Sequence, residues 1–279
     1  MNYQQVRPGS FQILPVVIKN LIIINSLVFL AQMTSKSMGS YGWVSDFFAL
    51  HNVHSELFKP HQLITHLFMH GDLGHLFFNM FALWMFGSML ENRWGPKRFL
   101  VFYVLCGLGA AALHLLSLHF ETTVILEDSA RALQVISPQR FTDFFNKYGA
   151  DDEQTLQQLN SLLNSWSQQP DSVNYMEQAK DFLEERSQQL IGGATVGASG
   201  AVFGCLAAYG YLFPNTLIYV YFFFPIKAKW FVLIYAAIEL WMGINNSGGN
   251  IAHFAHLGGA LIGFLLVLYW NKTNRNTFY

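Results

Sequence analysis

Charge is scarce in this chain. Asp, Glu, Lys and Arg make up 12% of its 279 residues, about half the share usual in a soluble domain, while hydrophobic residues reach 52%. The 16 basic and 17 acidic residues nearly cancel, and no nucleic-acid partner is expected. Cysteine is equally sparse: Cys106 and Cys205 both lie inside apolar runs, which excludes a disulfide framework and thiolate metal spacing. There is no His-Glu-x-x-His, which disfavours zinc-dependent hydrolysis of that type. The first apolar run is not followed by an Ala-x-Ala cleavage pattern, so it reads as a retained span, with the mature chain expected to begin near Met1.

What remains is apolar sequence in long blocks. Runs able to cross about 30 Å of hydrocarbon lie near 16–34, 74–91, 99–119, 195–213, 228–245 and 252–270. The shorter run from Thr216 to Phe224 ends at Pro225 and reads as an interfacial or re-entrant loop. Six spans place both tails and the even-numbered connections on one side, together with Arg7, Lys19, Arg93, Lys97, Arg98, Lys227, Lys229, Lys272 and Arg275. The positive-inside rule then makes both termini cytoplasmic. The long segment 121–190, with twelve acidic and five basic residues, falls outside.

This topology brings polar groups to one depth. Spans 2, 4 and 6 enter from the outer face, and near the start of each lie His75 and Asn79, Ser199, and His256. At 1.5 Å per residue these positions sit roughly 6–8 Å below the mouth, within reach of water. Polar side chains are expensive there, which marks them as functional candidates. Gly197 and Gly200 flank Ser199 without side chains, so a substrate carbonyl can approach the backbone. The serine N–H, near a helix N-terminus, can serve an oxyanion. His256 can take the serine proton and return it to a leaving amine. His253, roughly on the same helix face, is the competing base.

Each feature also has a plainer use. Gly200-x-x-x-Gly204 and Gly259-x-x-x-Gly263 are small-residue packing patterns, and they let spans 4 and 6 approach closely in either case. His75 and Asn79, at i and i+4, could be an interhelical hydrogen-bonding pair or two oxyanion donors. With Glu239 in span 5 and Asp72 in a loop, no acid is expected to orient the imidazole, and the reading is a dyad.

Taken together, His75-x-x-x-Asn79, Gly197-Ala198-Ser199-Gly200 and His256-Leu-Gly-Gly259-Ala-Leu-Ile-Gly263 resemble, in order and spacing, the rhomboid family of intramembrane serine proteases. The resemblance covers almost the whole chain outside 121–190. It implies an all-α, six-transmembrane-helix bundle acting as a serine endopeptidase on transmembrane protein substrates in the lipid bilayer, without cofactor or metal. It assigns Ser199 as nucleophile and His256 as base, because His253 does not fit the family spacing. It further implies an oxyanion hole of His75, Asn79 and the Ser199 backbone N–H.

Three departures stand out. Lys59-Pro60-His61-Gln62 occupies the place where the family often has Trp-Arg in its first loop. Phe203 stands where some members stack a Tyr on the catalytic histidine. The segment 121–190 replaces a short loop between spans 3 and 4.

The expected organisation is a tail (1–15), core spans 1–3 (16–120), an extracytoplasmic helical insert (121–193), core spans 4–6 (194–270) and a second tail (271–279), in a cell (inner) membrane. Within the insert, Leu156, Leu159, Leu162, Leu163 and Trp166 recur at helical spacing, as do Tyr175, Ala179, Phe182 and Leu190 more loosely. Gln168-Gln169-Pro170-Asp171 breaks them into a hairpin, read either as self-packed or as a lid or substrate-docking surface over the site. Two rivals differ in class: a non-proteolytic protein that binds membrane clients, and a metal transporter lined by His66, His70, His75, His253 and His256.

Overall fold

A computed structural model describes residues 11–39, 41–150, 152–220, 223–245 and 252–273. Arg7 and Arg275 of the orientation argument lie outside the described residues. The chain divides into two units, one holding residues 1–50, 59–115 and 194–279, the other 51–58 and 116–193.

The first unit is mostly helical, and its helices are apolar on nearly every side. Helix α1 (Val16–Ser37) buries Ile18, Leu21, Asn25, Phe29 and Gln32 and turns Ile23, Leu27 and Leu30 outward. Apolar side chains on an outward face suit a helix surrounded by hydrocarbon. Its first turn is satisfied by a carboxylate: the Val17 and Ile18 N–H groups donate to Glu91 Oε1 and Oε2, each at 2.9 Å. Orphan donors and a positive helix end both favour an anion there. After α2 (Tyr41–Phe48) and the short α3 (Gln62–Thr65), Asp72 caps α4 (Leu73–Ala82) by accepting from the His75 N–H at 2.8 Å. A π-turn at Leu83–Gly87 joins α4 to α5 (Ser88–Trp94). Gly95, at φ +80°, ends α5, and Pro96 opens α6 (Pro96–Gln134).

Among the described residues, four helical stretches are long and apolar enough to cross a membrane: Val16–Ser37, Leu73–Trp94, Pro96–Gln134 and His253–Thr273. The two other apolar runs give shorter helices. These are α10 (Ser199–Leu212), with 14 residues, and α11 (Ala228–Ile244), with 17; α12 is His253–Thr273. At 1.5 Å per residue they measure about 21 and 26 Å. Helix α10 starts at Ser199 rather than near residue 195 because Gly197 takes φ +129°, a conformation no helix continues through. Ser199 is therefore the first residue of its helix, not a position several residues inside it.

The run from Thr216 to Phe224 is not simply a loop. Leu217–Val220 (β1) pairs antiparallel with Phe224–Lys227 (β2), Leu217 opposite Lys227 and Tyr219 opposite Pro225. Alternating Leu, Ile, Tyr and Val suit a strand, and Pro225 is tolerated because a two-stranded sheet is all edge.

The second unit has its own core. Helix α6 runs unbroken through residue 121, so no turn separates the third span from the insert. Helices α7 (Pro138–Tyr148), α8 (Glu153–Gln168) and α9 (Val173–Ile191) follow. Phe141, Phe144, Leu159, Leu162, Trp166, Ala179 and Leu183 are buried together. The break at 169–172 is where the spacing predicts it, and the Trp166 Nε1–H donates to the Pro170 carbonyl across it at 3.1 Å. Ser137 caps α7 ahead of Pro138, and Asp152 caps α8 through the Thr155 N–H at 2.7 Å, which holds its carboxyl below the usual range.

Candidate active site

The loop before α10 is pinned from three directions. Thr195 and Leu50 exchange backbone hydrogen bonds at 2.8 and 2.9 Å, the Gly197 N–H donates to the His66 carbonyl at 2.9 Å, and His114 Nε2 meets Thr195 Oγ1 at 2.6 Å. His66 is itself held through Nδ1 on the Gln62 carbonyl, 2.7 Å away. Burial drives the His66 and His70 imidazoles down to about 4, so both are neutral at pH 7. The first loop lacks the Trp-Arg pair but has other anchors. Gln62 Nε2 donates to the Asp46 carbonyl at 2.9 Å, His61 Nε2 meets the Phe47 carbonyl at 2.6 Å, and Lys59 Nζ lies 5.1 Å from the centre of the Phe47 ring.

Gly197 has to be glycine for two reasons. Its φ of +129° disfavours any side chain, and a Cβ there would lie 2.8 Å from His75 Cε1, 2.9 Å from His75 Nε2 and 3.5 Å from Ser199 Oγ. The His75 ring and the Ser199 hydroxyl thus border the same small space. Asn79 is buried one turn further along α4 and gives one side-chain N–H to the His75 carbonyl at 3.0 Å. Ser199 opens α10, where first-turn N–H groups have no acceptor within the helix.

Helices α10 and α12 meet backbone to backbone. An added Cβ on Gly259 would fall inside the contact radius of the Gly200 carbonyl, and one on Gly263 would lie 2.6 Å from the Gly204 oxygen. Gly200 also faces Ala110 and Gly204 faces Cys106, both on α6. Small residues at these positions allow the approach, as in other intramembrane helix pairs. The result is that His256 Nε2 stands 2.9 Å from Ser199 Oγ. Phe203, one turn along from Ser199, stacks on the imidazole with centroids 4.2 Å apart and planes 3° from parallel. The ring takes the stacking place that its position in the sequence allows.

The expectation that no acid reaches the imidazole is corrected. Glu239 of α11 is buried, and its Oε2 lies 3.0 Å from His256 Nδ1 and 2.7 Å from His253 Nδ1. Reading Glu239 only as a residue of another span missed that α11 packs on α12. A signal was present, since a carboxylate in the apolar run 228–245 costs enough to demand partners. His253 Nδ1 is on Glu239, one turn before His256.

Among the described residues, Glu239, His253 and His256 have donor atoms within 4.8 Å of one another, close enough to hold a metal ion. The same atoms are already joined by hydrogen bonds, and His66, His70 and His75 are not in this group. A hydroxyl on one imidazole nitrogen and a carboxylate on the other form an arrangement suited to removing the hydroxyl proton.

The family model for the rhomboid domain matches residues 57–125 and 173–272, more than half of the chain. The unmatched interval between them contains α7 and α8. The chain is 22% identical over 220 residues to "RHOMBOID-like protein 12, mitochondrial" of Arabidopsis thaliana, covering 79% of this chain and 48% of that protein. It is 26% identical over 212 residues to "Rhomboid protein 1, mitochondrial" of Saccharomyces cerevisiae, covering 75% of this chain and 42% of that protein. The chain thus spans less than half the length of these curated relatives. With the matched domain spanning all three helices that carry Ser199, Glu239 and His256, this integral membrane protein belongs to the rhomboid family.

Proposed function

We propose that the protein is an intramembrane serine endopeptidase that cleaves transmembrane segments of membrane proteins. The observation that carries this reading is the 2.9 Å contact between Ser199 Oγ and His256 Nε2 at the first turn of α10. In the proposed reaction His256 Nε2 accepts the Ser199 proton as Oγ attacks the scissile carbonyl. The resulting oxyanion is met by the Ser199 N–H, His75 and Asn79. His256 then returns the proton to the leaving amine, and water hydrolyses the acyl-enzyme by the same steps. Purified protein reconstituted with a model transmembrane substrate is expected to release two fragments cut within the apolar segment. That cleavage should be blocked by prior treatment with a fluorophosphonate. Intact substrate, or cleavage insensitive to the probe, would refute the assignment.

The six apolar runs and the distribution of Lys and Arg support a six-span topology with both tails on the cytoplasmic side. Cysteines placed near Met1 and Tyr279 are expected to react with an impermeant thiol reagent only from the cytoplasmic side, and one near Asp152 only from the outside. The opposite pattern for Asp152 would overturn the shared entry face of spans 2, 4 and 6.

The insert supplies none of the proposed chemical groups and has its own core. Its proposed role is control of substrate access. Replacing residues 125–188 by a short polar linker is expected to leave Ser199 reactive toward a small fluorophosphonate while changing the cleavage rate of a protein substrate. Unchanged rates for several protein substrates would reduce the insert to a spacer. Lost probe labelling in a folded variant would show that it helps to build the site.

A further inference from the structure

One carboxylate oxygen receives two imidazoles. Glu239 Oε2 lies 2.7 Å from His253 Nδ1 and 3.0 Å from His256 Nδ1, with both His253 and Glu239 buried. A carboxylate is only an acceptor when ionised, so both contacts are satisfied together when each Nδ1 carries its hydrogen. That tautomer leaves His256 Nε2 without a proton, facing Ser199 Oγ at 2.9 Å. Phe203 stacks flat on one face of the same ring and restricts its tilt. The ring's two nitrogens and one face are thus fixed by Ser199, Glu239 and Phe203, which come from α10 and α11.

We infer that Glu239 is a positioning residue that sets the tautomer and orientation of His256, with His253 holding the carboxylate in place from one turn away. This rests on the proposed serine protease reading. Glu239 touches no substrate and acts only through His256. It fixes the Nδ1–H form in the resting protein, and its charge stabilises the imidazolium formed when Nε2 takes the serine proton. His253 donates to the same oxygen, so the carboxylate is anchored in a buried apolar setting where a single partner would leave it poorly compensated.

Two measurements test this. Glu239→Gln keeps the shape of the side chain but offers an amide that can donate to Nδ1, favouring the Nε2–H tautomer. The rate of Ser199 modification by a fluorophosphonate is expected to fall by about 10² to 10⁴-fold. Glu239→Asp, which keeps the charge at shorter reach, should retain more of the rate than Glu239→Gln. In parallel, ¹⁵N spectra of histidine-labelled protein at neutral pH, with the His256 signals assigned by their loss in His256→Ala, are expected to show Nδ1 protonated in the unmodified protein. Glu239→Gln should move that proton to Nε2.

A wild-type labelling rate in Glu239→Gln would overturn the inference, as would an Nε2–H tautomer in the unmodified protein. The latter needs no variant and decides the matter even if Glu239→Gln does not fold. Absence of Ser199 labelling in the unmodified protein would instead sink the protease reading, so the two failures are distinguishable.

Discussion

Ser199→Ala and His256→Ala are each expected to abolish cleavage of a transmembrane substrate, a loss on the order of 10⁴-fold or more, while His253→Ala costs at most roughly tenfold. Ser199 Oγ is hydrogen-bonded to His256 Nε2, and removing either partner leaves only the binding and oxyanion contributions. His253 stands behind Glu239, and its loss removes one hydrogen bond to a carboxylate that still has another partner. One such bond contributes about 0.5–1.5 kcal/mol in most settings, up to roughly tenfold in rate. Rates measured on detergent-solubilised variants with matched thermal melts decide it. An inactive, folded His253→Ala beside an active His256→Ala would show that the base is misassigned.

Gly259→Val is expected to be nearly as damaging by a different route. Its Cβ would collide with the Gly200 carbonyl, which is backbone and cannot swing aside as a side chain can. Helix α12 has to move away from α10, and the contact between His256 and Ser199 lies one turn from the collision. Overpacking a well-filled site typically costs about 1–3 kcal/mol, and a backbone obstacle places this substitution at or above that range. Both the melting temperature and the cleavage rate should drop. Gly42→Ala is the control, because an added Cβ there meets nothing within 4 Å. A Gly259→Val protein with unchanged rate and melting temperature would mean that the close helix pair is not what aligns the site.

The parts of the site legible in the sequence are those whose partners sit in short local patterns. Ser199 between Gly197 and Gly200, and His256 ahead of Gly259 and Gly263, announce both the polar groups and the close packing that joins them. Phe203 could be placed because one helical turn separates it from Ser199. Glu239 could not be paired in the same way, because no spacing within α11 points to α12; only the cost of a carboxylate in an apolar run hinted at it. The anchors at Thr195, His114 and His66 join residues more than 80 or 130 positions apart, and no periodicity encodes them.

Fold-level differences have local causes. Gly197 delays the start of α10, and the π-turn at Leu83–Gly87 leaves no mark on an apolar pattern. The residues around 121, Phe120-Glu121-Thr122-Thr123, change polarity without carrying a helix-stopping Gly or Pro, so α6 continues where polarity alone suggested an end. In the insert the helix-breaking stretch at 168–171 is explicit, and α8 ends at Gln168 while α9 begins at Val173.

The most direct test of the central claim is to treat the purified, membrane-reconstituted protein with a fluorophosphonate and map the modified residue by mass spectrometry. The account predicts one adduct on Ser199, lost in His256→Ala and strongly slowed in Glu239→Gln. Modification of another serine, or none at Ser199 in a protein that still cleaves its substrate, would contradict it.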